Sequence, residues 1–262
     1  MLKNRLIPVL LLKNGMLVRS EKFKIHQIIG NPIEEVERFN QWNVDELIYL
    51  DITNNGNFNK SREDSKIKIF SNSLEVLNEV SKNCMMPLVW GGQIRSIEDI
   101  YIRMKKGADR VSINTAALKN KEFIKDSSRE FGSQAIVVNI DVFRNKDKTY
   151  SVFMNSAKTK TQYDPETWAK IAEDMGAGEI LLQSINRDGV GKGYDLEIIN
   201  RISKVVTIPI ISLGGVGDFK HYCAGIKNGA NSVAAANLWH FKEMADKLGK
   251  KALKDCGVNV RN

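Results

Sequence analysis

Asp141 closes the apolar run AIVVNID (135–141), and a carboxylate at the end of a short strand-like segment is a natural group for taking or giving a proton. Two glycine pairs carry a second kind of chemistry. Gly91-Gly92 in PLVWGGQIRS (87–96) and Gly214-Gly215 in PIISLGGVGD (209–218) each follow an apolar run, where bare backbone N–H groups can approach a phosphate. Each pair is followed by a matching segment. GADRVSINTAA (107–117) supplies Asn114 and Thr115, and GANSVAAANLW (229–239) supplies Ala236 and Asn237. The first glycines lie 214 − 91 = 123 residues apart and the following segments 229 − 107 = 122 apart, so two independent features keep nearly one offset. A duplicated phosphate cradle implies a substrate with two phosphates, or a long one held at both ends. Gly92, Asn114 and Thr115 would form one cradle, and Gly214, Gly215, Ala236 and Asn237 the other, with Asp188-Gly189 adding a loop to the second. The alternative is that the glycines only relieve crowding at strand ends.

The elements that must position these groups are eight apolar runs, at 6–12, 46–52, 86–92, 110–114, 135–141, 179–185, 208–215 and 232–237. Amphipathic stretches separate them: Ile33, Val36, Phe39 and Trp42 recur at helical spacing, as do Trp168, Ile171, Ala172 and Met175. Helix starts are marked by Ser96 three residues before Asp99 and by Asp164 before Pro165. Strand and helix in alternation predict an α/β chain, a (β/α)8 TIM barrel of two fused half-barrels forming a single domain over 1–262. The polar stretch 54–66 is expected to be a long loop near the active end. DELIYLD (45–51) is answered by GEILLQS (178–184), and Asp141 corresponds to position 141 − 130 = 11. The residue found there is Leu11, just before the turn signal Lys13-Asn14-Gly15.

Composition narrows the classes. Lys and Arg exceed Asp and Glu by eight over 262 residues, in scattered positions, with no basic stripe for nucleic acid. Cys84, Cys223 and Cys256 lie far apart, odd in number and without CxxC spacing, so neither a disulfide framework nor a zinc site is expected, and a reducing cytoplasmic setting fits. No stretch is long enough to cross a membrane. His26, His221 and His240 are not spaced as metal ligands, and Trp42, Trp90, Trp168 and Trp239 are read as packing residues. No cofactor is expected.

The motifs DELIYLDIT, GADRVSINTAA, FGSQAIVV, GAGEILL and RDGVGKGYD, with the spaced GG pairs, WHF and the terminal CGVNVR, resemble the cyclase subunit of imidazole glycerol phosphate synthase, the HisF family, over nearly the whole chain. The resemblance implies a barrel that receives ammonia from a HisH-like glutaminase docked at its bottom. At the top the family uses that ammonia on a bisphosphorylated substrate, with two aspartates, ending strands one and five, as acid and base. Only Asp141 is present here, and Leu11 replaces its partner. The family's ammonia gate maps onto Arg5, Glu46, Arg110 and Glu179, its glutaminase contact onto Asp109, and a phosphate-contacting lysine onto Arg19. Gln93 stands for a third glycine, Asn186 for an acid and Asn237 for a serine. With ammonia supply kept and the cyclase site altered, the reading is a paralogue that delivers ammonia for turning an acetamido sugar into an acetamidino sugar in surface-glycan synthesis. A separate ATP-dependent ligase and a phosphorylated or nucleotide-linked substrate go with it. The alternatives are an authentic histidine-pathway cyclase in which Asp51 or Asp188 substitutes, and an inactive scaffold that activates the glutaminase.

Overall fold

The computed structural model describes residues 3–42, 44–53 and 70–261, so the expected loop at 54–66 lies outside the described residues. Among the described residues twelve strands form in chain order: β1 (Arg5–Lys13), β2 (Met16–Glu21), β3 (Ile25–Gly30), β4 (Leu47–Asp51), β5 (Leu88–Gly91), β6 (Arg110–Ile113), β7 (Ile136–Arg144), β8 (Tyr150–Met154), β9 (Thr159–Lys160), β10 (Glu179–Ser184), β11 (Ile210–Leu213) and β12 (Ser232–Ala235). Eight of them, β1-β4-β5-β6-β7-β10-β11-β12, pair in parallel, and β12 returns to β1 through Arg5–Pro8 against Ser232–Ala235, closing a barrel. The eight apolar runs are these eight strands, as their Val- and Ile-rich character requires of strands covered on both faces. Helices lie between them. The helix Ile97–Lys105 starts in a capping box of Ser96 and Asp99, and Pro165–Asp174 starts at Asp164, whose side chain accepts from the Thr167 N–H.

Two features escape the alternation pattern. β2 and β3 extend β1 as an antiparallel ribbon, and β8 and β9 extend β7 in the same way. The Asn14-Gly15 signal is the turn of the first ribbon: both residues have positive φ, 52° and 83°, which suits the twist of a two-residue hairpin. The second feature corrects the cysteine reading. Cys223 and Cys256 form a disulfide between the helices Lys220–Lys227 and Ala245–Asp255, 33 residues apart in sequence, leaving Cys84 free.

Side chains alternate inward and outward along each barrel strand. Ile7, Val9, Ile48, Val89, Val137, Leu181, Ile211 and Ala234 fill the middle of the barrel. The outer layer against the helices holds Trp90, Trp168 and Trp239, all fully buried, which bears out their reading as packing residues. Among the described residues no helix is long and apolar enough to cross a membrane.

Candidate active site

Two positions at the mouth of the barrel are structurally equivalent. Leu11 faces Val18 across the first hairpin and Leu50 on the next barrel strand. Asp141 faces Phe153 across the second hairpin and Gln183 on the next barrel strand. The repeat read from sequence is therefore a repeat of hydrogen-bond register, and leucine and aspartate sit in matching places. Leu11 is buried in the interior apolar cluster with Val18, Leu50 and Leu213. Asp141 is also buried, and its carboxylate accepts from the Asn114 amide at 3.2 Å and from the Asn139 amide at 3.2 Å. Burial raises its pKa to about 7, against the pull of Asn139 and helped by the negative charge of Asp188. A carboxyl that titrates near neutrality is suited to general acid–base work.

The inward residues at the strand ends divide the mouth into two arcs. Asp141 and Gln183 on adjacent strands, with Asn114 just past the end of β6, make a polar arc. Leu213, Ala236, Leu11 and Leu50 continue around the other side as an apolar one. An aspartate at position 11 would break the apolar arc in its middle.

A cavity of about 270 Å³ opens over the ends of β11, β12 and β1, and it gathers Leu11, Arg19, Asp188, Gly189, Gly214, Gly215, Ala236 and Asn237. The residues expected to form the second cradle, with the loop expected to join them, therefore lie around one cavity. The chain comes very close to itself here: Gly193 N–H donates to Gly215 O at 2.7 Å, and a Cβ on Gly215, whose φ is +99°, would lie 2.2 Å from Gly193 O. Only glycine fits. Asn237 spends its side chain on the first hairpin, donating to Ser20 O at 2.9 Å and accepting from Ser20 N–H at 3.3 Å. Asp188 accepts from Ser20 Oγ at 2.6 Å and Phe23 N–H at 3.1 Å, so hairpin and cradle are tied together. Gln183, Phe241 and Lys242 also line the cavity and were missed from sequence. The alternation of Glu179, Leu181 and Gln183 was the signal for the first of them.

Gly92, Asn114 and Thr115 are not among the residues lining this cavity. Asn114 is engaged with Asp141, and Thr115 Oγ1 accepts from the Asn155 N–H at 3.0 Å. Next to Gly92, Gln93 takes a positive φ of 54° and donates to Asp51 Oδ2 at 3.0 Å.

At the opposite end, Arg5, Glu46, Arg110 and Glu179 begin four barrel strands or stand just before them, and they close into a ring. Arg5 pairs with both glutamates, and Arg110 pairs with Glu46 at 2.9 Å and Glu179 at 2.6 Å. Burial pushes the Glu46 carboxyl up, while Arg5 and Arg110 pull it down. Asp109 is exposed beside the ring and accepts from the Leu88 N–H at 2.8 Å.

The histidine biosynthesis protein family matches residues 5–245. The chain is 38% identical over 262 residues to the imidazole glycerol phosphate synthase subunit HisF of Hydrogenobaculum sp. (strain Y04AAS1), covering all of both chains. The HisF of Alkaliphilus metalliredigens (strain QYMF) is equally similar, at 38% over the full length of both. That of Clostridium botulinum (strain Okra / Type B1) is 37% identical over 265 aligned positions, again spanning both chains. The chain belongs to the HisF family. Within this HisF-family barrel, the three residues read as departures at the mouth all bind their own chain. Gln93 holds Asp51, Asn237 holds Ser20, and Asn186 is paired with the backbone of Arg144, accepting at 2.6 Å and donating at 3.2 Å. The two acids named as substitutes for an aspartate at position 11 are occupied as well. Asp51 accepts from Gln93 and from the Thr53 N–H, and Asp188 from Ser20 and Phe23.

Proposed function

We propose that this HisF-family barrel is the ammonia-using subunit of a glutamine amidotransferase complex whose acceptor is not the imidazole precursor of the histidine pathway. The observation that carries this reading is the register match of Leu11 with Asp141. A cyclase built on two facing acid/base groups has one of them here, and leucine can neither take nor give a proton. In this reading a HisH-like glutaminase docks at the bottom, with Asp109 among its contacts. Ammonia enters through Arg5, Glu46, Arg110 and Glu179 and travels the apolar interior. At the mouth, Asp141 receives or returns a proton, and the cradle of Gly189, Gly214, Gly215, Ala236 and Asn237 with Arg19 holds a phosphorylated or nucleotide-linked substrate. The first-half residues Gly92, Asn114 and Thr115 would hold the far end of that substrate. The acceptor chemistry is the exchange of the amide oxygen of an acetamido sugar for nitrogen, giving an acetamidino sugar for surface-glycan synthesis. A separate ATP-dependent ligase activates the oxygen to leave.

The test uses the imidazole precursor and a high concentration of ammonium, which bypasses any glutaminase. Cyclase turnover is expected to be at least ~10²-fold below that of an authentic cyclase, the low end of what a lost acid/base group costs. Leu11→Asp should recover only part of it, because the new carboxylate enters an apolar arc and forfeits roughly 1.5–3 kcal/mol of leucine burial. Ordinary cyclase rates in the unmutated protein would overturn the reading and promote the histidine-pathway alternative.

A further inference from the structure

Gln183 is 4% exposed, lines the cavity and stands beside Asp141 in register, and its side-chain amide makes no hydrogen bond among the described residues. Its polar atoms are not among the enclosed unpaired ones, so the amide opens into the cavity, where a fixed polar group is available to orient a ligand atom. Its repeat partner is Leu50, which sits in the apolar arc beside Leu11. Within the cavity the two halves of the barrel thus offer a hydrogen-bonding amide, Gln183, and an apolar side chain, Leu11. A ligand group that satisfies both is flat, polar at one end and carries a small alkyl group at the other.

We infer that Gln183 is a specificity-determining residue that recognises an acetamido group at this mouth, donating from Nε2 to the amide oxygen while the methyl rests against Leu11, which lines the same cavity. This rests on the acetamido-sugar reading above and adds the residues that select the group. A hydroxyl in place of the acetamido group would reach neither side. It leaves the Gln183 amide unpaired and Leu11 uncovered, which is how a polar site rejects a ligand lacking its partner.

The experiment compares UDP-N-acetylglucosamine with UDP-glucose, which differ in the acetamido group, by calorimetric titration of the full chain. The unmutated protein is expected to favour the acetamido ligand. Gln183→Met, which keeps the volume, should cut that preference by about 3- to 10-fold, the worth of one net hydrogen bond. Gln183→Leu is the second variant in case the first misfolds, and binding of inorganic phosphate, expected to stay unchanged in both, reports an intact cradle. A preference retained in both variants would overturn the role of Gln183 and leave the acetamido-sugar reading standing. Absence of any preference in the unmutated protein would overturn the inference at its root. The function reading is judged separately by the cyclase assay.

Discussion

Asp109 and Asn231 make the same bond in the two halves of the barrel: Asp109 accepts from the Leu88 N–H at 2.8 Å and Asn231 from the Ile210 N–H at 2.9 Å. Both donors and both acceptors are separated by 122 positions, 210 − 88 and 231 − 109, so the bond is a joint of the fold itself. Because asparagine does this work in the second half, Asp109→Asn should keep the melting temperature of the unmutated protein. Asp109→Ala should cost about 1–3 kcal/mol by orphaning a backbone donor. Affinity for the glutaminase should fall in both variants if the charge is the contact. Unchanged affinity in Asp109→Asn would remove Asp109 from the docking surface.

Arg5 bridges two buried glutamates, and removing it leaves Glu46 and Glu179 to share Arg110. Arg5→Ala is expected to cost roughly 3–5 kcal/mol, as for other buried pairs broken from one side. In the complex it should uncouple glutamine hydrolysis from product formation, so that glutamate appears without matching product. Tight coupling in a folded Arg5→Ala variant would argue that the ring is structural only.

The raised pKa of Asp141 has a defined sign. Its folded value of about 7 lies above the ordinary 3.8, so the folded chain holds the proton more tightly than the unfolded one. The stability this contributes is complete below about pH 4 and is lost as pH rises through 7. Asp141→Asn, neutral throughout, should therefore gain in melting temperature relative to the unmutated protein between pH 4 and 8. Parallel melting curves for the two over that range would contradict the assignment. Any ammonia-dependent step that uses Asp141 as a base should rise in rate through pH 7 and be absent in the asparagine variant.

The Cys223–Cys256 disulfide closes a loop of 33 residues near the end of the chain. Loop entropy assigns it roughly 3–4 kcal/mol. Reduction, or Cys223→Ser, is expected to lower the melting temperature, and thiol labelling should count one free cysteine before reduction and three after it. Three reactive thiols in the untreated protein would show the bond unformed.

The barrel was legible because its strands are buried on both faces, and runs such as IVVNID have few other ways to be satisfied. The hairpins were not, since β2 is half buried and β3 is largely exposed, and their mixed residues MLVRSE and IHQIIG follow no single burial pattern, although Asn14-Gly15 marked their turn. At the site, the match of Leu11 with Asp141 was readable from the internal offset alone. Gln183 was not singled out, because its importance lies in an amide that opens into the cavity, which only the packed mouth reveals. The disulfide joins two helices distant in sequence, and spacing carries no trace of it.

The charged ring also bears on how the two halves recognise each other. The half ending in the Gly132–Ala135 turn brings Arg5, Arg110 and Glu46 to the ring, and the other half brings Glu179 alone. Two copies of the first half would crowd four guanidinium groups around two carboxylates, and two copies of the second would leave paired carboxylates with no cation. Severed into separate polypeptides, the halves should complement one another in trans and shun their own kind, so that one ion-pair ring acts as the matching code of the whole barrel.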